Sequence, residues 1–219
     1  MKKSFLILLN ILFMNITFAQ IKPKAALVLI ETQNEWMHPN GKLNKALIQD
    51  RDMMQNSIKK IQQVLIYARE KNMDVIHVGL SFKKGYPEMG IAQSGLRKAI
   101  PNAGTFPQGE FGSAFYESVK PLETEFVVSG RIGASGFTGS NLDTYLRNNG
   151  IETLYLVGYA THVCVESTFR DAHEKGYNTF IISDATAAFN KVQQEYFLNE
   201  IVHHFGQHIS SEQFIENSF

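Results

Sequence analysis

Glu31, Arg131 and Cys164 each follow a short apolar segment of the kind that forms a buried strand. Cys164 is the only cysteine, and it comes after a Gly-containing turn at the start of a helix-like stretch. A helix N-terminus lowers the pKa of a thiol, a carboxylate can take the thiol proton, and a cation can hold the resulting charge. These residue types predict nucleophilic catalysis by Cys164, with Glu31 as base and Arg131 as cation. The alternative is that Cys164 is a buried small hydrophobic residue, a common fate of a single cysteine.

The elements that must position these side chains are strands alternating with helices. Short apolar runs predict five strands, at residues 25–30, 74–80, 125–129, 153–157 and 178–183. The last residues of the chain leave room for a short sixth strand. Apolar residues at helical spacing predict helices between them: residues 52–71, 140–149, 163–175 and 192–205. Such alternation predicts an α/β fold with a mainly parallel, Rossmann-like sheet and helices on both faces. Ligands bind such sheets at the carboxyl ends of the strands, where all three residues fall.

One segment interrupts the alternation. Residues 82–121 are rich in Gly, Pro and aromatic side chains and are too long for a plain connection. We expect this segment to carry binding loops that determine substrate specificity. No internal repeat and no linker to a second domain is visible.

The N-terminus predicts a secretory signal peptide at residues 1–19. Lys2 and Lys3 precede an apolar run that ends at Thr17-Phe18-Ala19, a small-x-small pattern. Cleavage there leaves a single domain at residues 20–219, exported to the periplasm or secreted. A membrane anchor is the alternative, but the run is short and is interrupted by Asn10 and Asn15.

Composition limits the partners. With 21 basic and 21 acidic side chains, the chain lacks the overall positive field of a nucleic-acid binder. No segment after the leader is long and apolar enough to span a bilayer, so we expect no membrane partner after cleavage. The partner we expect is a small-molecule substrate, and we expect the protein to be a homo-oligomer.

Three segments resemble the isochorismatase-like cysteine hydrolases, which include nicotinamidases and other amidases. They are residues 25–36 (AALVLIETQNEW), 131–142 (RIGASGFTGSNL) and 158–171 (GYATHVCVESTFRD). The last is the most specific, with Gly-x-x-Thr-x-x-Cys-Val followed by Thr-x-x-Asp-Ala. The similarity covers most of the chain after the leader and implies a three-layer α/β/α fold.

The resemblance also implies an Asp–Lys–Cys triad, from which this chain departs at two positions. Cys164 carries over directly, whereas Glu31 stands at the Asp position and Arg131 at the Lys position. Glu31 keeps the charge with one more methylene, but Arg131 cannot release a proton at any useful pH. The two changes look coordinated, because a guanidinium fork pairs well with a longer carboxylate. We therefore interpret the site as a variant Glu–Arg–Cys centre.

Further site residues follow from the same resemblance and from position. A cis peptide is expected at Tyr159-Ala160, where the backbone N–H groups of Ala160 and Cys164 would form an oxyanion hole. The side chains predicted to contact substrate follow strands or line the predicted crevice: Gln33, Trp36, Phe82, Phe137 and Tyr159.

Metal and cofactor binding are not expected. Nicotinamidases of this type carry an Asp-x-His and further histidines after the second strand, but residues 50–115 contain only His77, inside a predicted strand. His204 and His208 have helical spacing without an attendant carboxylate pair, so surface positions are the better interpretation.

Three functional hypotheses remain open. The first is an exported hydrolase that cleaves a C–N bond of a small amide through a covalent thioester at Cys164. The second is a catalytically drifted protein that kept the fold and binds a small ligand. The third is non-covalent hydrolysis, as isochorismatases of this family perform on a vinyl ether.

Overall fold

The computed structural model describes residues 24–91 and 93–217, so the predicted signal peptide lies outside the described residues. Six strands form one sheet in the order β3-β2-β1-β4-β5-β6, and every pair is parallel. Their bounds are β1 Lys24–Ile30, β2 Asp74–Val78, β3 Phe126–Val127, β4 Ile151–Tyr159, β5 Asn178–Ala187 and β6 Gln207–Ile209. The predicted parallel sheet and its short sixth strand are confirmed.

Helices cover both faces of this sheet. Their bounds are α1 Asn34–Met37, α2 Lys42–Leu47, α3 Arg51–Glu70, α4 Leu96–Ala103, α5 Leu142–Asn148, α6 Glu166–Glu174, α7 Lys191–Tyr196, α8 Val202–Phe205 and α9 Ser211–Asn217. Two π-helical turns, Thr161–Val165 and Phe197–Ile201, lead into α6 and α8. Within the described residues, none of the helices has the length and apolarity needed to cross a membrane.

The strands explain why two separate cores form. Side chains of a strand alternate between faces, so Leu27 and Leu29 of β1 pack towards α3 and α9. Ala26, Val28 and Ile30 pack on the opposite face, towards α5 and α6. A continuous apolar strand is therefore buried on both sides, as the run in residues 25–30 predicted.

The element boundaries differ from the prediction mainly at the carboxyl ends of strands. β4 was expected to end at residue 157 but continues to Tyr159, and β5 continues to Ala187 rather than ending at residue 183. The short helices α1, α2 and α9 were not predicted, because four to seven residues contain too little periodicity to identify a helix.

Residues 82–121 form three 3₁₀ turns and α4, and they are tied to the chain that follows β1. The backbone N–H of Asn34 donates to the carbonyl of Ala114 at 2.9 Å, and that of Tyr116 donates to Thr32 at 2.9 Å. This segment therefore packs against the residues next to Glu31.

Candidate active site

The sheet order places the candidate site at a topological switch point. β1 is flanked by β2 on one side and β4 on the other, so connections leave β1 and β4 towards opposite faces of the sheet. Ligands of open parallel sheets bind in the crevice that this divergence creates. Glu31 follows β1 directly, and Cys164 lies five residues beyond the end of β4.

Gly158 allows β1 and β4 to approach closely at this point. Its φ of +115° is strained for other residues, and a Cβ atom there would lie 1.9 Å from the carbonyl oxygen of Ile30. The following peptide, Tyr159-Ala160, is cis, as the family resemblance implied. The close approach at Gly158 and the pairing of β1 with β4 bring the segments that carry Glu31 and Cys164 side by side.

Glu31 has an unusual backbone conformation. Its φ of +50° lies in the left-handed region, which costs a non-glycine residue free energy. Its N–H donates to the carbonyl of Val78 at 2.7 Å, which holds the chain in this turn beyond the sheet. The side chain is 1% exposed. Strain of this kind is concentrated at functional sites.

Both oxygens of the Glu31 carboxylate have hydrogen-bond donors. Nη2 of Arg131 donates to Oε1 at 2.7 Å, and the indole Nε1 of Trp36 donates to Oε2 at 2.8 Å. The carboxylate is therefore held from two directions. Because Arg131 provides one nitrogen to Glu31, the expected pair is present without the bidentate fork that the sequence suggested.

The remaining donors of Arg131 organise its own loop. Nε donates to the carbonyls of Gly133 at 3.0 Å and Ser135 at 3.3 Å, and Nη2 also donates to the carbonyl of Ala134. Nη1 is buried without an oxygen acceptor among the described residues. Burial lowers the pKa of the guanidinium, but the charges of Glu31 and Cys164 outweigh burial and raise that pKa. Arg131 is thus a fixed cation whose Nη1 nitrogen, with two N–H groups, has no oxygen acceptor among the described residues.

Cys164 lies in the π-helical turn that precedes α6 and is 4% exposed. Burial raises the pKa of its thiol well above the ordinary value, and the Glu31 carboxylate raises it further by charge and hydrogen bonding. The Arg131 cation acts in the opposite direction without reversing the shift. The resting group is consequently a neutral thiol beside a carboxylate and a cation, rather than the thiolate that the helix N-terminus alone would favour.

Two residues predicted to contact substrate form hydrogen bonds within the protein, and their contact with substrate stays a prediction. The amide of Gln33 donates to the carbonyls of Leu80 at 2.8 Å and Ser113 at 2.6 Å, and its oxygen accepts from the N–H of Leu80 at 2.8 Å. Gln33 therefore joins β2 to the segment at residues 82–121. Trp36 is occupied by the bond to Glu31.

The other three predicted contact residues lie in the two cores. Tyr159 is fully buried with its hydroxyl 2.9 Å from Oγ of Ser57, and Phe82 packs against Tyr86. Phe137 is stacked on Tyr177 with ring centroids 6.0 Å apart. The structure gives these side chains packing roles, so their contact with substrate stays a prediction. The same holds for the oxyanion hole at Ala160 and Cys164.

A row of rings next to Glu31 was not predicted as a unit. Phe189 stacks on Trp36 with centroids 5.9 Å apart and 23° between planes, and His162 meets Phe189 edge-on at 4.5 Å. Burial lowers the pKa of His162, against the charge of Glu166. Trp36 was among the predicted site residues, but no sequence signal connects residue 189 to this site.

Metal-ligating groups are scattered. Among residues 24–91 and 93–217, no group of three His, Cys, Asp or Glu side chains could hold a metal ion. His77 is fully buried in β2, and its Nε2 lies 2.9 Å from Oε2 of Glu125, which also pairs with Arg69. Burial lowers the pKa of His77, so this contact is a hydrogen bond between a neutral imidazole and the Glu125 carboxylate.

Together, the parallel fold and the titratable cluster at its switch point define a class of α/β enzyme with a buried cysteine centre. The model of the Isochorismatase domain matches residues 25–213. The chain therefore belongs to the isochorismatase family, as the resemblance indicated, and is an isochorismatase-family hydrolase.

Individual relatives agree with this assignment. A ureidoacrylate amidohydrolase from Stutzerimonas stutzeri is 34% identical over 174 residues, which are 74% of this chain and 69% of the relative. The crystal structure of N-carbamoylsarcosine amidase from Thermoplasma acidophilum is similar with a TM-score of 0.67 and 26% identity, covering 86% of this chain and 97% of that chain. An isochorismatase family protein from Burkholderia thailandensis has a TM-score of 0.73 and 26% identity, covering 88% and 94%.

Proposed function

We propose that this protein hydrolyses a C–N bond of a small amide or ureido compound through a covalent intermediate at Cys164. The observation that carries the proposal is the buried pair of Glu31 and Arg131, which acts on the Cys164 thiol by charge and hydrogen bonding. A base, a nucleophile and a permanent cation converge on one point, as covalent catalysis by a thiol requires.

In the first half-reaction, Glu31 takes the thiol proton while the sulfur attacks the carbonyl carbon of the substrate. The negative charge moves to the carbonyl oxygen, for which the N–H groups of Ala160 and Cys164 are the proposed donors. When the C–N bond breaks, protonated Glu31 returns the proton to the leaving nitrogen. The amine or ammonia departs, and the acyl or carbamoyl group remains on sulfur.

In the second half-reaction, Glu31 takes a proton from water, whose oxygen attacks the thioester carbonyl. The C–S bond breaks, the proton returns to sulfur, and the free acid leaves. Arg131 cannot release a proton, so Glu31 carries every proton transfer in this scheme. Nη1 of Arg131 has no oxygen acceptor among the described residues and is available to the charge that develops on sulfur. A contact that stabilises this charge only once it has formed lowers the barrier of the reaction.

The relatives support the substrate class. The names ureidoacrylate amidohydrolase and N-carbamoylsarcosine amidase both describe substrates in which a nitrogen bears a carbamoyl group. We propose small ureido acids and primary amides as the compounds to test first.

We also propose that residues 1–19 direct export and are removed. The basic start, the apolar run and the small-x-small exit support this proposal. When the full chain is expressed in a bacterium with a periplasm, intact-mass measurement of the extracellular or periplasmic protein should give a chain that begins at Gln20. Full-length protein retained in the membrane fraction would indicate an anchor instead.

Mass spectrometry after mixing with a panel of amides and ureido acids tests the catalytic proposal. We expect ammonia release and, after acid quenching, an adduct on Cys164 whose mass equals the acyl or carbamoyl group. Cys164→Ser is the matched control, since it keeps the size of the side chain and should show no adduct and turnover lower by 10³-fold or more. Tight binding of a panel compound with neither release nor adduct would favour the drifted binding protein.

A further inference from the structure

Trp36 is the only tryptophan of the chain, and it touches the proposed base directly. Its indole N–H donates to Oε2 of Glu31 at 2.8 Å, from α1 in the turn after β1. The indole is buried and stacked on Phe189, so it has little freedom to rotate away. An indole nitrogen is a donor only, which fixes the direction of this bond.

The bond depends on the length of the Glu31 side chain. Oε1 is held by Arg131 and Oε2 by Trp36, so the carboxylate is located by two donors on different elements. Each carboxylate oxygen retains a further lone pair that can receive the thiol proton. An aspartate at this position would be one methylene shorter and could not keep both donors in place.

We propose that Trp36 is the positioning residue of Glu31: its indole N–H fixes the carboxylate relative to the Cys164 sulfur. For its effect on turnover this inference rests on the proposed function, but the positioning itself does not. Trp36 transfers no proton and acts through Glu31.

This role has a consequence for pH dependence. The titratable groups whose charges act on one another here are Glu31, Arg131 and Cys164, from the turn after β1, the loop after β3 and the turn before α6. A donor to a carboxylate favours its charged form, so the pH dependence of Cys164 reactivity should change when the indole donor is removed. Glu31 acts on the Cys164 thiol by charge and hydrogen bonding, so the acid side of the Cys164 alkylation profile should move to higher pH.

The single indole allows a test without substrate. In a ¹H–¹⁵N spectrum of the wild-type protein, we expect one indole N–H resonance that is protected from exchange with water. The rate of Cys164 alkylation by iodoacetamide should fall on the acid side of its pH profile, here called the acid limb. The chemical shift of the indole proton should change over the same pH range. An indole N–H that exchanges rapidly, or does not titrate with the thiol, would overturn the proposal even if every variant fails to fold.

A variant then separates positioning from packing. Trp36→Phe keeps a ring but loses the donor, and we expect the acid limb of Cys164 alkylation to move up by about one pH unit. Tyr177→Phe is the matched control, because it also removes a buried aromatic donor to a carboxylate, the 2.8 Å bond to Asp143. It should leave the profile unchanged. An equal shift in both variants would overturn the proposal.

A double-mutant cycle tests whether Trp36 acts through the carboxylate. In a Glu31→Asp background the bond to Trp36 is already lost, so Trp36→Phe should add no further shift in the alkylation profile. The same shift in both backgrounds would show that the indole acts by packing alone and would refute positioning. Because alkylation and the indole resonance need no amide substrate, failure here is distinct from an absence of amidase activity.

Discussion

Replacing Arg131 by alanine tests the electrostatic reasoning at the centre of the site. The side chains of Arg131 and Glu31 are both 1% exposed and are joined at 2.7 Å. Removing one partner of a buried ion pair leaves an uncompensated charge and costs about 3–5 kcal/mol of stability. The carbonyls of Gly133, Ala134 and Ser135 also lose their guanidinium donor. We therefore expect Arg131→Ala to lower the free energy of unfolding by at least this amount.

The effect on catalysis has a separate cause. Without the cation, a thiolate at Cys164 beside the Glu31 carboxylate is disfavoured by repulsion. Loss of one preorganised electrostatic group costs about 10²-fold or more in rate. Arg131→Lys keeps the charge, so we expect its turnover to stay within about tenfold of the wild-type rate. Because it loses the hydrogen bonds to the loop carbonyls, its free energy of unfolding should fall by about 1–2 kcal/mol.

Urea unfolding and ammonia release on the best substrate measure the two effects. Arg147→Ala is the matched control, since Arg147 forms a largely exposed ion pair with Asp143 at 3.3 Å. This replacement should lower the free energy of unfolding by less than about 1 kcal/mol and leave turnover unchanged. If Arg131→Ala unfolds at the wild-type urea concentration and turns over at the wild-type rate, Arg131 is neither a structural nor a catalytic cation, and the Glu–Arg–Cys interpretation fails.

Three further predictions follow from other parts of the chain. Gly158→Ala should destabilise by more than about 3 kcal/mol in urea unfolding because of the 1.9 Å approach to Ile30, whereas Gly176→Ala, also at positive φ but in open space, should cost about 1 kcal/mol. The pKa of Glu125 is lowered from 4.5 to about 2, because hydrogen bonds from Arg69 and neighbouring groups outweigh burial; stability present above pH 4.5 should therefore decline as pH falls towards 2, and Glu125→Gln should flatten this decline. Elemental analysis should find well below one zinc or iron per chain, with activity insensitive to a chelator.

The fold was predictable because strand and helix periods differ. A run such as residues 25–30 has no polar face, and in the structure β1 is buried on both sides. The carboxyl ends of strands were less predictable, and this affected the site. Tyr159 was expected to follow β4 but is its last residue, with its side chain on the same face as Val157, towards α3. Strand alternation thereby places its side chain in the core between the sheet and α3.

The members of the candidate site could be proposed from the sequence, but their contacts could not. Cys164, Glu31 and Arg131 could be identified because they follow strands that meet at one edge. The partners of Gln33 could not, since its hydrogen bonds reach residues 47 and 80 positions away along the chain. The Trp36 bond also lacked a signal, because it depends on the left-handed turn at Glu31.

The two departures from the usual Asp and Lys are linked by the geometry of the site. A lysine can pass a proton, but it cannot donate simultaneously to a carboxylate and to three loop carbonyls, as the Arg131 guanidinium does. Arginine thus joins the loop and the cation in one hydrogen-bonded unit, and in the proposed mechanism all proton transfer then falls to Glu31. In the proposed mechanism one base serves both half-reactions, and the longer glutamate side chain reaches the indole N–H of Trp36 as well as Arg131. Glutamate and arginine are therefore best understood as one coupled substitution.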